Sequence, residues 1–174
     1  DEYETVKLVY EDLILSTDYS MDSADNQNIC SVFLDKRSVC NGYAKAAQYL
    51  LNDLGISCII VNGTTNGDSH AWNIVEVDGA YYHMDTTRGD PSYYSSTESE
   101  KEGAPDIDYS YLCVTDAEIR KNHSVDPEFA LPACTSTKDN YFVREGLYLN
   151  GYEEGKIREI FEAAGMDPGL FSEP

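Results

Sequence analysis

The chain has 174 residues, with 32 acidic against 12 basic side chains and a formal net charge of −20. Such a field repels nucleic-acid backbone and anionic lipid and favours neutral or cationic substrates. No apolar run approaches the roughly 18 residues that a membrane span requires, and 41% hydrophobic with 25% charged residues is the balance of a folded globular protein, here read as a single domain over 1–174.

Residues 2–16 place Tyr3, Val6, Tyr10, Leu13 and Ile14 on one stripe of period near 3.6, which predicts a helix. The polar stretch 16–28 reads as loop. A second helix follows from Tyr43, Ala47, Leu50, Leu51 and Leu54, closed by Gly55, with Ser38 as its N-cap and Cys40 in its first turn. Strand patterns occupy 57–62, 70–77 and 80–85, and the last two flank Asp78-Gly79, a two-residue hairpin signal. The acidic, tyrosine-rich segment 92–108 reads as a mobile surface loop. Residues 109–114 read as a strand, Thr115 to Glu118 as a capping box opening a short helix, and 141–149 as strand or hairpin. A closing helix runs through Ile157, Ile160, Phe161 and Ala164 to a Gly165 cap. Helices before and after hairpin-linked strands predict an α+β fold with a mostly antiparallel sheet.

The chemistry-bearing residues follow from this layout. A cysteine in the first turn of a helix points its sulfur at unpaired backbone N–H groups, and the helix dipole lowers its pKa. Cys40 has that position. If Asp78-Gly79 forms the turn, Val77 faces Ala80, Trp72 falls opposite Asp85, and His70 lies diagonally from Asp85 on the same face. One hydrogen bond spans such a diagonal, so the register alone predicts a His70–Asp85 pair. An imidazole so oriented is what a nucleophilic thiol needs. In this reading Asp85 accepts the Nδ1–H of His70, and Nε2 faces Cys40. His83, opposite Ile74, reads as a packed, hydrogen-bonded core histidine, and His123, in a polar stretch, as surface.

The five cysteines (Cys30, Cys40, Cys58, Cys113, Cys134) form no C-x-x-C pair and no Cys/His ligand spacing. No metal and no cofactor is predicted. Their odd number allows two bridges and a free thiol; a Cys113–Cys134 bridge would contribute roughly 3 kcal/mol by loop-closure entropy.

Ser38-Val39-Cys40-Asn41-Gly42-Tyr43-Ala44, His70-Ala71-Trp72-Asn73 and Asp85-Thr86-Thr87 resemble the three blocks of the transglutaminase-like superfamily. The resemblance implies a papain-like core, in which a helix carrying the nucleophile packs on a sheet carrying His and Asp. It implies Cys40 as nucleophile, His70 as base and acid, and Asp85 as the orienting carboxylate. Trp72 would shield the His70–Asp85 pair from water or, with Arg88, border the substrate cleft, Arg88 standing where bacterial members commonly have tryptophan. The Cys40 backbone N–H would open an oxyanion hole that Gln27 or Asn28 completes. The expected activity is thiol-dependent acyl transfer to water or an amine on peptide or protein amides. The alternative is a non-catalytic binding module retaining the fold, and a peptide-glycan amidase is a related reading. A bacterial extracellular or cell-surface setting is expected, and the start at Asp1 suits an excised fragment or a mature secreted product. Arg88-Gly89-Asp90 spells an integrin-type tripeptide, read here as chance.

Overall fold

The computed structural model describes residues 1–93, 107–128 and 130–165. Helix α1 (Glu2–Ser16) opens with the Asp1 carboxylate accepting from the Glu4 N–H, and Glu2 and Glu4 in its first turn complement the helix dipole. Its buried stripe is Tyr3, Val6, Val9, Tyr10, Leu13 and Ile14, while Leu8 and Leu15 stay exposed. A two-residue parallel pair follows, β1 (Asp18–Tyr19) with β2 (Arg37–Ser38), enclosing a π-helical turn at Ser31–Asp35.

Helix α2 (Cys40–Asp53) begins at Val39, whose extended backbone carries no side-chain cap. Ser38 is therefore not the cap. Its hydroxyl is buried between Ser31 Oγ at 2.7 Å and the Asn26 carbonyl at 3.1 Å, so it ties the preceding loop to the helix start. Gly42 permits that approach, because a Cβ there would stand 1.9 Å from Ser38 Oγ.

The main sheet has the order β5-β4-β3-β6 and is antiparallel throughout. Its strands are β3 (Cys58–Thr65), β4 (Asp68–Val77), β5 (Ala80–Met84) and β6 (His123–Val125). Asp78 and Gly79 both have positive φ (49° and 78°), as a two-residue turn matched to strand twist requires. Val77 pairs with Ala80, and the ladder closes at Asn73 with Met84.

The two faces of this sheet serve different cores. Cys58, Val75, Val77, Tyr82 and Met84 pack with α1 and with Ala46, Ala47 and Leu51 of α2. Val61, Trp72 and Ile74 face the other way and join Cys134. Each large side chain so buried contributes about 1.5–3 kcal/mol.

Helix α3 (Thr86–Gly89) follows β5, capped by Asp85, whose carboxylate accepts from the Arg88 N–H. Gly89 is fitted against α1, since a Cβ on it would lie 1.8 Å from Tyr10 Oη. Thr115 caps α4 (Asp116–Ile119), accepting from the Glu118 N–H, and α6 (Glu154–Ala163) precedes Gly165, φ 70°.

Four expectations need correction or restriction. Residues 109–114 are not a strand: Tyr109–Tyr111 is a 3₁₀ turn, and Val114 alone bridges to His83. Residues 141–149 are not a hairpin. Asn140 caps a one-turn helix α5 (Tyr141–Arg144), and Tyr141 spends its ring on Tyr109, stacked at 3.8 Å. All five cysteines are free, and Cys113 and Cys134 sit in separate cores, so the proposed bridge does not form. Of the expected loop at 92–108, residues 94–106 lie outside the described residues.

Candidate active site

Cys40 stands at the first position of α2 and is half-exposed. His70, near the start of β4, is buried, and so is Asp85, just beyond the last pair of β5. The hairpin register carries the first link: His70 Nε2 meets Asp85 Oδ2 at 2.7 Å. The Cys40 thiol and the His70 ring act on one another electrostatically. With Nε2 engaged by the carboxylate, Nδ1 is the nitrogen left for the sulfur. The expected tautomer is thus reversed, because strand register fixes which side chains meet but not which way an imidazole turns.

Charge follows the geometry. Burial pushes the Cys40 thiol up, but the His70 hydrogen bond and charge, with backbone N–H groups of Ala71 and Asn41 aimed at the sulfur, outweigh it and leave the pKa lowered. Burial opposes the His70 imidazolium too. The Asp85 charge and hydrogen bond, joined by Cys40, overcome that and raise its pKa to about 9. For Asp85, complete burial favours the neutral acid, yet the His70 charge and donors from His123, His70 and the Arg88 N–H hold it well below the usual carboxylate range. By contrast, burial pushes the thiols of Cys58 and Cys134 up to about 12 and that of Cys113 higher still.

The remaining expected site residues divide. Gln27 reaches the first turn of α2, accepting from Asn41 Nδ2 at 2.8 Å, while its own Nε2 donates to Asn26 Oδ1. Asn28 does not: its side chain accepts from the Cys30 N–H and serves a local turn. Trp72 lines no cleft. It is 1% exposed, stacked on His70 at 5.9 Å and donating its indole N–H to His83 Nδ1 at 3.0 Å. Arg88 is buried as well, its guanidinium over the rings of Tyr93 and Tyr111. Burial of Arg88 and Asp90 also withdraws the tripeptide from any adhesion surface.

His123 is the residue misread from sequence. It is buried on β6, not on the surface, and its Nε2 reaches Asp85 Oδ2 at 2.9 Å. Alternation of His123 with Val125 is the local signal for that strand.

Among the described residues, two sets of side chains bring ligand-type atoms within 4.8 Å of one another: His70, Asp85 and His123, and His83, Asp116 and Cys134. The first is bound up in the hydrogen bonds just described. In the second, His83 Nδ1 accepts from Trp72, so the neutral ring carries its proton on Nε2 and donates it to Asp116 Oδ1 at 3.0 Å. A cation at Nε2 would have to displace that proton.

Residues 1–86 match the family model of the transglutaminase-like superfamily. That half of the chain is similar to the superfamily. The transglutaminase-like segment contains Cys40, His70 and Asp85, and it ends one residue past the carboxylate; His123 comes from beyond it. Two solved structures are similar to the chain. One is described as a TGase, 20% identical over 56% of this chain and 29% of that one, with TM-score 0.44. The other is a protein of Cytophaga hutchinsonii described as a proposed cysteine protease, 21% identical over 51% and 32%, with TM-score 0.45. The matched regions thus take in about a third of each solved chain. No curated protein matches. Among the described residues, no helix is long and apolar enough to cross a membrane.

Proposed function

We propose that the chain performs thiol-dependent acyl transfer on amide carbonyls of peptides or proteins, with Cys40 as nucleophile, His70 as proton carrier and Asp85 as its anchor. The observation that carries this reading is the single imidazole hydrogen-bonded through Nε2 to a fully buried carboxylate and coupled to a half-exposed thiol of lowered pKa. The thiolate attacks the carbonyl carbon, forming the C–S bond. His70 gives its proton to the departing amine as the C–N bond breaks, leaving a thioester. Water or a second amine then attacks while His70 takes its proton, and cleavage of the C–S bond restores the thiolate. The Cys40 backbone N–H at the helix start, with Gln27 turned from Asn26, is the proposed support for the oxyanion.

The test is a library of peptide amides and esters offered with and without a primary amine, read by mass spectrometry. An acyl adduct on Cys40, absent in Cys40→Ala, is expected. Peptide binding without any adduct or product would instead favour a non-catalytic module.

A further inference from the structure

Asp85 is served by more than the triad needs. Its Oδ2 lies 2.7 Å from His70 Nε2 and 2.9 Å from His123 Nε2, while Oδ1 accepts from the Arg88 N–H at 3.0 Å. The two imidazoles tilt against each other with centroids 5.4 Å apart. We propose that His123 is a positioning residue of the thiol site: its Nε2–H holds Asp85 as an ionised, correctly aimed carboxylate for His70. The inference rests on the acyl-transfer reading and deepens it.

The sheet is built to bring the second histidine there. Gly63 pairs with His70 on one side and Val125 on the other, and Thr65 pairs with His123. Directly paired residues share a face, so His70, Gly63 and His123 lie on the same one. At Gly63 a Cβ would stand 2.0 Å from the Ser124 carbonyl oxygen and 3.0 Å from the Trp72 ring. The missing side chain therefore lets β6 close in and lets the two imidazoles meet above it.

The far side of the ring bears on which nitrogen carries the proton. His123 Nδ1 lies 2.6 Å from Asn122 Oδ1, and Asn122 Nδ2 donates to Tyr111 Oη at 2.9 Å. With the amide oxygen towards Nδ1, only a doubly protonated ring would donate to both Asn122 and Asp85. With the amide turned over, Nδ1 accepts from its NH2 and the neutral ring carries its proton on Nε2. That second arrangement gives Asp85 an N–H from a neutral His123.

The consequence concerns acid. A fully buried carboxylate is driven towards its neutral form unless charges and donors oppose that. The groups facing Asp85 are His70 from β4, His123 from β6, the Arg88 N–H from α3, and the weakly acidic Tyr10 of α1. Tyr111, whose carbonyl accepts from the Asp85 N–H, completes the surround. Removing one donor lets Asp85 protonate at higher pH, which releases His70 and costs Cys40 its thiolate.

The experiment is the pH dependence of Cys40 alkylation by iodoacetamide, which needs no substrate, in wild type, His123→Leu and His123→Gln, with circular dichroism as folding control. His123→Leu should lose alkylation on the acid side about tenfold at fixed pH, a shift of about one pH unit. His123→Gln keeps an amide donor of similar reach and should recover most of the loss. Unchanged profiles in a folded His123→Leu overturn the inference while leaving the acyl-transfer reading intact; a wild-type Cys40 with no activation at all defeats that reading itself. Should His123→Leu not fold, long-range ¹H–¹⁵N spectra of the wild-type histidines decide. A His123 Nε2–H protected from exchange at neutral pH supports the inference, and a freely exchanging one overturns it.

Discussion

Two histidine–carboxylate pairs lie on one hairpin face, either side of Trp72, and they have opposite fates. His70 and His83 each set Nε2 against a carboxylate, Asp85 at 2.7 Å and Asp116 at 3.0 Å. Both rings are buried, and burial disfavours both imidazolium forms. They differ in the carboxylate's setting and at the other nitrogen. Asp85 is fully buried, and its charge and hydrogen bond, joined by Cys40, raise the His70 pKa to about 9. Asp116 is partly exposed, and burial lowers the pKa of His83, whose Nδ1 accepts from the Trp72 N–H, despite that carboxylate. A carboxylate at hydrogen-bond distance therefore does not by itself hold an imidazole charged; its burial and the other groups around the ring decide it.

Removing the thiol should have the largest effect. Cys40→Ala should abolish turnover and leave the circular dichroism spectrum unchanged, since the site is half-exposed. It should also lower the His70 pKa, followed by NMR, because the Cys40 hydrogen bond and charge help to raise it.

Exchanging the carboxylates sharpens the contrast. Asp85→Asn should reduce kcat by roughly 10²- to 10⁴-fold and should cost about 3–5 kcal/mol in stability, because an amide N–H then faces donors in a buried place. Asp116→Asn should change kcat by no more than about twofold, as expected for a group whose partners are the locked His83, the Cys134 N–H and Arg120. Kinetics on a substrate from the peptide library, with urea melts of both variants, measure the difference.

Smaller still is the effect of unlocking His83. Trp72→Phe keeps a ring over His70 but deletes the indole N–H, so stability should fall by about 1–3 kcal/mol. The freed Nδ1 should let the His83 pKa climb by NMR titration, while the Cys40 alkylation profile stays close to wild type.

Much of this arrangement is legible in sequence because the turn residues dictate geometry. Asp78-Gly79 forces positive φ at two successive positions, and that one constraint fixes the register that joins His70 to Asp85 and sets His83 opposite Ile74. Periodicity likewise carries α1 and α2. What is missed is either rotational or non-local. The His70 ring is turned about its own axis relative to expectation. His123 sits in a strand of only three residues whose partner, Thr65, lies far away in the chain, so its polar neighbours read as surface. Tyr141 and Val143 alternate as a strand would, but the Asn140 cap and the Tyr109 stack win.

The central claim is that Cys40 and His70 form a thiolate–imidazolium pair, and its pH window has a definite sign. The lowered thiol pKa sets the acid limb. On the alkaline side, the favourable pairing of charged His70 is complete below its ordinary value near 6.5 and is lost as pH rises through about 9. Competitive iodoacetamide labelling across pH, with every thiol mapped by mass spectrometry, tests this most directly. Cys40 should be labelled first at neutral pH and below, with a midpoint well under the ordinary thiol value of about 8.5, ahead of the exposed Cys30. Labelling of Cys30 or Cys58 before Cys40 at neutral pH, or a Cys40 midpoint at or above about 8.5, would contradict the account.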